Sequence, residues 1–384
     1  MPSKEQCPEI RDEVRKLCSK YPDEYWRKLD KEDEYPDQFV QELTDAGWLA
    51  ALIPEQYGGS GLSVREASVI LEEVNRSGGN AAACHAQMYI MGALLRHGND
   101  EQKERYLPKI ATGEIRLQAF GVTEPNAGSD TTNLETFARK EGDYYIVNGA
   151  KIFISRVQHS DMMLLLARTT PVAECTKKTM GLSVFLVDLK EAGDSVEVRK
   201  IDAMINHETN QLFFHDLKIP KKNLIGEENR GFYYILDGMN AERILVAAES
   251  IGDARWFVDR AVKYGNERVI FGRPISQNQG IQFPLAQAYA QTEAADLLRF
   301  KAAELFDAGE ACGPEANMAK LLCSQAAWAA ANAALDTHGG YGFAAEYDVE
   351  RKFRECRLFS IAPISNNMVL NYVAEHVLGM PRSY

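Results

Sequence analysis

The sequence predicts an α+β chain in three parts: a helical N-terminal region, a middle region of antiparallel β-structure, and a helical bundle at the C-terminus. The hydrophobic period switches twice along the chain. Apolar residues three and four apart give way near Leu117 to short β-branched and aromatic runs, and helical spacing returns near Gly231. The length of 384 residues suits two or three packed units at roughly 100–200 residues each. Strands grouped in one stretch argue against a Rossmann enzyme or a barrel of alternating strands and helices.

The first region, residues 1–117, is helical by the spacing of Phe39, Leu43, Trp48 and Leu49, and of Ile70, Leu71 and Val74. Two glycine-rich loops interrupt it, at Tyr57-Gly58-Gly59-Ser60-Gly61 and Asn75-Arg76-Ser77-Gly78-Gly79-Asn80. In the second region, residues 118–226, the predicted strands include Tyr144 to Val147 ending before an Asn148-Gly149 turn, Met162 to Leu166, Leu182 to Val187, and Gln211 to Phe214. Pro220 and Lys221-Lys222-Asn223 close it. In the third region, residues 227–384, helical segments are expected near 231–265, 281–308, 314–337 and 364–378. Four such helices with short loops suggest a bundle.

Composition excludes several classes. Forty-three Lys+Arg against 55 Asp+Glu leaves −12, which argues against a general nucleic-acid binder because phosphate neutralisation needs clustered cations. No apolar run reaches the 18 or more residues that span a bilayer, and Met1 to Tyr21 alternates charges. A cytoplasmic protein, or the processed form of an organelle one, is expected. Seven scattered cysteines without a Cys-x-x-Cys pair favour reduced thiols over a disulfide scaffold, and the seven histidines lack ligand spacing, so no metal site is expected. No Gly-x-Ser-x-Gly elbow supports a serine hydrolase.

The densest motif is Phe120-Gly121-Val122-Thr123-Glu124-Pro125-Asn126-Ala127-Gly128-Ser129-Asp130. Its glycines and hydroxyls let a backbone approach and hydrogen-bond a planar or phosphorylated ligand. Further along come Asn148-Gly149-x-Lys151-x-Phe153-Ile154-Ser155, Phe214-x-Asp216-x-x-Ile219-Pro220, Arg268-x-x-Phe271-Gly272-x-Pro274-Ile275 with Gln279, and His338-Gly339-Gly340-x-Gly342-Phe343. With these five segments in order, the sequence resembles the acyl-CoA dehydrogenase family over essentially its whole length. That resemblance implies a helical domain, a β-barrel-like domain and a four-helix bundle.

It also implies FAD as cofactor, an acyl-CoA thioester as substrate, and an electron-transfer flavoprotein or similar acceptor. Thr123 and Ser155 would hydrogen-bond the isoalloxazine edge, with Phe120 and Phe153 flanking the ring and Val122 and Ile154 beside it. Ser129 lies where the family contacts cofactor or acyl-CoA. Arg268, Phe271, Gln279, Gly339 and Gly340 match positions that reach the ADP portion of FAD in a neighbouring subunit, which implies a homodimer or homotetramer. Ser365 and Asn367 complete the implied cofactor set. A guanidinium fork suits a diphosphate. Asp336 departs from the family's usual Gln, and an acid beside a diphosphate is repulsive.

The resemblance implies a reaction in which a carboxylate removes the α-proton of the thioester while a hydride leaves the β-carbon, and the carbonyl needs hydrogen bonds. Many members carry that carboxylate near the C-terminus, where this chain reads Ile361-Ala362-Pro363-Ile364-Ser365-Asn366-Asn367. Pro363 occupies the position and brings neither a carboxylate nor an N–H. A second family location falls on Met239-Asn240-Ala241-Glu242-Arg243-Ile244, making Glu242 the candidate base, expected to be raised towards neutrality by an apolar pocket. Arg243 matches a CoA-contacting position. Ala362, small where relatives often have Tyr, hints at room for a bulky or branched acyl group.

The first expectation is therefore FAD-dependent α,β-dehydrogenation of an acyl-CoA. A relative without that step stands beside it: a lyase, an oxidase, an enoyl-CoA reductase in the physiological direction, or a silent subunit. A non-catalytic flavin- or CoA-binding regulator is the third.

Overall fold

A computed structural model describes residues 5–383. Helices α1 (Pro8–Cys18), α2 (Asp23–Glu32), α3 (Asp37–Asp45), α4 (Val64–Arg76), α5 (Ala82–His97) and α6 (Asp100–Ala111) come first. Strands β1 (Leu117–Gly121), β2 (Phe137–Glu141), β3 (Tyr144–Ser155), β4 (Met162–Arg168) and β5 (Leu182–Asp188) follow. The short α7 (Leu189–Ala192) precedes β6 (Val196–Lys200), β7 (Thr209–Pro220) and β8 (Leu224–Ile225). Helix α8 (Gly231–Glu267), a hairpin of β9 (Val269–Ile270) and β10 (Arg273–Pro274), and helices α9 (Gln279–Asp307), α10 (Gly313–His338), α11 (Val349–Arg357) and α12 (Asn366–Tyr372) complete the order.

The chain packs as two units that do not follow sequence order. The first comprises residues 1–32, 63–81 and 240–384, and the second comprises 33–62 and 82–239.

In the first unit an alanine-rich face of α10, including Ala327, Ala330, Ala331 and Ala334, shares an apolar core with Trp256, Phe257 and Leu285. Small side chains let helix backbones approach closely. Beside it lies a buried ionic network. Glu72 receives hydrogen bonds from Arg11, Arg255 and Arg299, and although burial opposes its charge, these guanidinium groups hold it well below the usual carboxylate range. Helix α11, absent from the sequence expectation, is explained the same way. Its buried face carries Arg351 and Lys352 beside Val349 and Cys356, and the two cations pair with Asp348, Glu355 and Asp253. The expected fourth bundle segment becomes α12 followed by a π turn over Val373–Val377.

The second unit holds one eight-stranded sheet in the order β6-β7-β3-β2-β4-β5-β8, with β1 beside β4. Two features correct the sequence expectation. The sheet is mixed, since β1 runs parallel to β4 and β2 meets β4 in parallel at Phe137 and Arg168. Asn148-Gly149 is a bulge inside β3 and not a turn ending a strand, because β3 continues to Ser155. Asn148 accepts from the Asp216 amide at 3.0 Å and donates to its carboxylate at 2.9 Å, which replaces the interrupted ladder. Gly149 has φ 146°, and a Cβ there would stand 2.6 Å from Thr136 Cα. A second bulge falls between Lys151 and Ile154.

Candidate active site

In the second unit, β1 delivers the chain to the loop from Val122 to Asp130, and β3 runs alongside it. Glu124 organises this loop. Its backbone exchanges hydrogen bonds with Ala127 at 3.2 and 3.1 Å, and its carboxylate accepts from the amides of Glu135 and Thr136 at 2.6 and 3.0 Å. Lys151 adds a third bond at 2.8 Å and donates to the Val122 carbonyl at 2.9 Å. The Ile152 amide bonds the Thr123 carbonyl at 2.9 Å, so Thr123 is fixed against β3. Neither Glu124 nor Lys151 was singled out from sequence, although both lie inside the motifs.

The second β3 bulge sets the aromatic face. Phe153 sits in the left-handed region at φ 61°, which disfavours a bulky side chain, and its ring is 63% exposed. Ser155 Oγ accepts from Asn206 Nδ2 at 2.6 Å and is half-buried. Phe120 and Val122 are half-buried and pack against the apolar core, Phe120 meeting Tyr89 edge-on at 5.5 Å. Ile154 turns its side chain into the core, leaving only its backbone for a ligand. Ser129 is exposed on the loop. The structure thus brings Phe120, Val122, Thr123, Phe153 and Ser155 onto one β1–β3 neighbourhood.

In the first unit, Glu242 lies on α8 at 5% exposure. Arg243 follows it, with Nη1 donating to Asn240 Oδ1 at 2.9 Å while burial pushes its guanidinium down against the Glu242 carboxylate, which raises it. Lys320, on α10, is the cation that sequence missed. A lone lysine in the apolar run Ala319-Lys320-Leu321 was the available signal. Its Nζ donates to the Ile364 carbonyl at 2.6 Å and Asn366 Oδ1 at 2.9 Å. Burial lowers it to about 8, Arg243 adding to the fall and Glu242 opposing it. The loop bearing Ala362 and Pro363 is therefore tied to the helix facing Glu242's charge. Ser365 caps α12 by accepting from the Met368 amide at 3.3 Å, and Asn367 is exposed in that helix's first turn.

The same unit contains a pocket of about 530 Å³ lined by Tyr264, Arg268, Ile275, Thr337, Gly339 and Gly340, among others. Arg268 lies over the Tyr341 ring at 5.4 Å, and Tyr264 stacks on His338 at 4.2 Å. A Cβ on Gly339 or Gly340 would meet nothing within 4 Å, so the backbone there is open to a ligand. An arginine fork and bare glycine backbone fit a diphosphate, and the aromatic wall fits a ring system. Phe271 stands outside this lining at the β9–β10 turn, fully exposed, with φ 52°. Gln279 opens α9 and is exposed, and Asp336 is exposed without lining the pocket.

A β-loop able to hold a planar ring, a buried helix carboxylate and a pocket fitted to a diphosphate define a nucleotide-cofactor enzyme. The chain belongs to the acyl-CoA dehydrogenase family, whose members are FAD-dependent oxidoreductases acting on CH–CH bonds. Its residues 4–114, 119–217 and 229–378 match the models for the N-terminal, middle and C-terminal acyl-CoA dehydrogenase domains. The chain is 37% identical to the 3-(aryl)acrylate reductase of Clostridium sporogenes, covering 91% of this chain and 93% of that one. It is 36% identical to the caffeyl-CoA reductase-Etf complex subunit CarC of Acetobacterium woodii, over 91% and 93%. An acyl-CoA dehydrogenase structure from Geobacillus kaustophilus superposes with a TM-score of 0.90 at 30% identity, over 98% and 99%.

Proposed function

We propose that the protein catalyses α,β-dehydrogenation of an acyl-CoA thioester to the trans-2-enoyl-CoA, with Glu242 as the α-proton base. The observation that carries this reading is the burial of Glu242 on α8 beside Lys320 and Arg243, in a chain whose Pro363 offers no carboxylate. FAD, when bound, supplies the hydride acceptor. The chain's own residues do the rest. Thr123, Ser129 and Ser155 offer hydroxyls to the cofactor or thioester, and Phe120 and Phe153 shield a ring from water. Arg268, Gly339 and Gly340 hold a diphosphate, and Glu242 takes the proton on a carboxylate oxygen. Arg243 faces the anionic CoA portion, and Ala362 leaves room for a bulky acyl group.

Cofactor sharing between subunits supports a homodimer or homotetramer, and an electron-transfer flavoprotein is the electron acceptor. We further infer a cytoplasmic role in fatty acid metabolism. Among the described residues no helix is long and apolar enough to cross a membrane. The same residues run the reaction backwards. Enoyl-CoA reduction is the second reading, favoured by similarity to two reductases.

Anaerobic mixing of the yellow protein with straight, branched and cyclic acyl-CoAs tests this reading. Bleaching of the visible flavin band in wild type and not in Glu242→Gln supports it. Equal bleaching in the variant removes Glu242 as base, and no bleaching with any thioester removes dehydrogenation.

A further inference from the structure

The hydrogen bonds of Lys320 do not account for its charge. The side chain is fully enclosed on α10, and its ammonium donates to two neutral acceptors, the Ile364 carbonyl at 2.6 Å and Asn366 Oδ1 at 2.9 Å. Asn366 is held in turn by Ser324, one turn further along α10 and itself buried, whose Oγ accepts from Asn366 Nδ2 at 3.1 Å. The ammonium thus sits in a fixed cradle made by α10 and the start of α12. A neutral side-chain amide could make both bonds. Burying a positive charge is costly unless an opposite charge answers it.

The charges acting on Lys320 both come from α8: Arg243 repels it and Glu242 attracts it. Glu242 is therefore the anion that a charge at this position serves, and at 5% exposure water screens it little. The ionisable groups of the other elements packed along α10 are engaged elsewhere. On α9, Arg299 bonds Asp296 and Glu72, and on α11 Lys352 pairs with Glu355. Tyr372 of α12 and Cys312, next to the start of α10, act on Arg243. Attraction between two charges is mutual, so Lys320 favours the ionised form of Glu242 as Glu242 favours the charged form of Lys320. Burial alone would push the carboxylate the other way, towards holding its proton.

We propose that Lys320 is a positioning residue for the α-proton transfer: held by Ile364 and Asn366, it sets a fixed positive charge against Glu242 and keeps that carboxylate ionised, ready to accept a proton. This rests on the reading of Glu242 as base. The cradle includes the carbonyl that follows Pro363, so the loop that carries no base in this chain still serves the one on α8.

The test follows anaerobic flavin bleaching by stopped flow, with the most reactive thioester of the panel, between about pH 5 and 7.5. Lys320 keeps its proton there, since burial lowers it only to about 8. The midpoint of the acid limb should move up by about 0.5–1.5 units in Lys320→Met and Lys320→Gln, a roughly 3–30-fold loss of rate on its acid side. Lys320→Gln keeps N–H donors for the cradle and carries the test where Lys320→Met fails to fold, with flavin content reporting folding. Lys320→Arg keeps the charge and should keep the wild-type midpoint. A merely structural lysine would cost stability or flavin content and leave the midpoint in place, so a shift under about 0.2 unit in the neutral variants overturns the proposal. With Glu242→Gln inactive throughout, that result removes only the role of Lys320. Bleaching by Glu242→Gln with the wild-type profile removes the base reading and this inference with it.

Discussion

Lys151 and Glu124 form a buried ion pair at 2.8 Å, with the lysine fully enclosed beneath the loop from Val122 to Asp130. Burial lowers Lys151 to about 8, against the pull of Glu124. Glu124 stays below the usual carboxylate range because, although burial opposes it, Lys151 and the Glu135 amide outweigh that cost. Removing one partner strands the other. Lys151→Met should cost about 3 kcal/mol in urea unfolding, near the low end for broken buried pairs because two amides still bond Glu124. A loss under about 0.5 kcal/mol would refute this account of the loop.

Lys320 yields a pH prediction. It is lowered by burial to about 8 from an ordinary 10.5. Between those values the unfolded chain holds a proton that the folded chain has released, so stability rises with pH across this window. The penalty is complete below about 8 and gone above about 10.5, a span on the order of 3 kcal/mol. The stability difference between wild type and Lys320→Met should therefore grow in favour of wild type from pH 7.5 to 10. A flat difference contradicts the shift.

Phe153 stores strain for a ligand-facing ring. A non-glycine residue in the left-handed region costs roughly 1–2 kcal/mol, and with the ring 63% exposed little packing returns it. Phe153→Gly should leave the flavin-free protein as stable as wild type or up to about 1 kcal/mol more stable. Its FAD affinity should fall by about tenfold, in line with a lost aromatic contact. Thermal unfolding of flavin-free protein and a flavin titration measure the two effects separately.

Arg268 should be intolerant of its conservative replacement. Arg268→Ala is expected to weaken FAD retention by about 10–100-fold, and Arg268→Lys to recover only a minor part because an ammonium cannot present a fork. Flavin remaining after gel filtration reads both. Full recovery by lysine would mean that Arg268 supplies charge alone.

The order helix, strand, helix was legible because burial on one face imposes a period on apolar residues. In α11 the apolar period is short, Val349, Phe353 and Cys356, and Arg351 and Lys352 between them read as surface charges until Asp253 and Glu355 are seen against them. The Asn148-Gly149 pair misled for a related reason. Its local chemistry is that of a turn, and only Asp216, 68 residues away, makes it a bulge. Glu242 and Arg268 are singled out only by what the family resemblance implies. Lys320 shows in the sequence only as a lone lysine in an apolar helical run, a signal that gains meaning once its hydrogen bonds to Ile364 and Asn366 are known.

The first unit draws together residues 1–32, 63–81 and 240–384, and Arg27 bonds Asp348 at 2.7 Å across 321 residues of sequence. At about 5–20 residues per second of synthesis, α2 leaves the ribosome tens of seconds before the carboxylate that anchors it. Its amphipathic surface must wait that long for its partners. The earliest-made helices are thus the last to be secured, and in the cell this enzyme's exposure to aggregation falls on its N-terminus during translation.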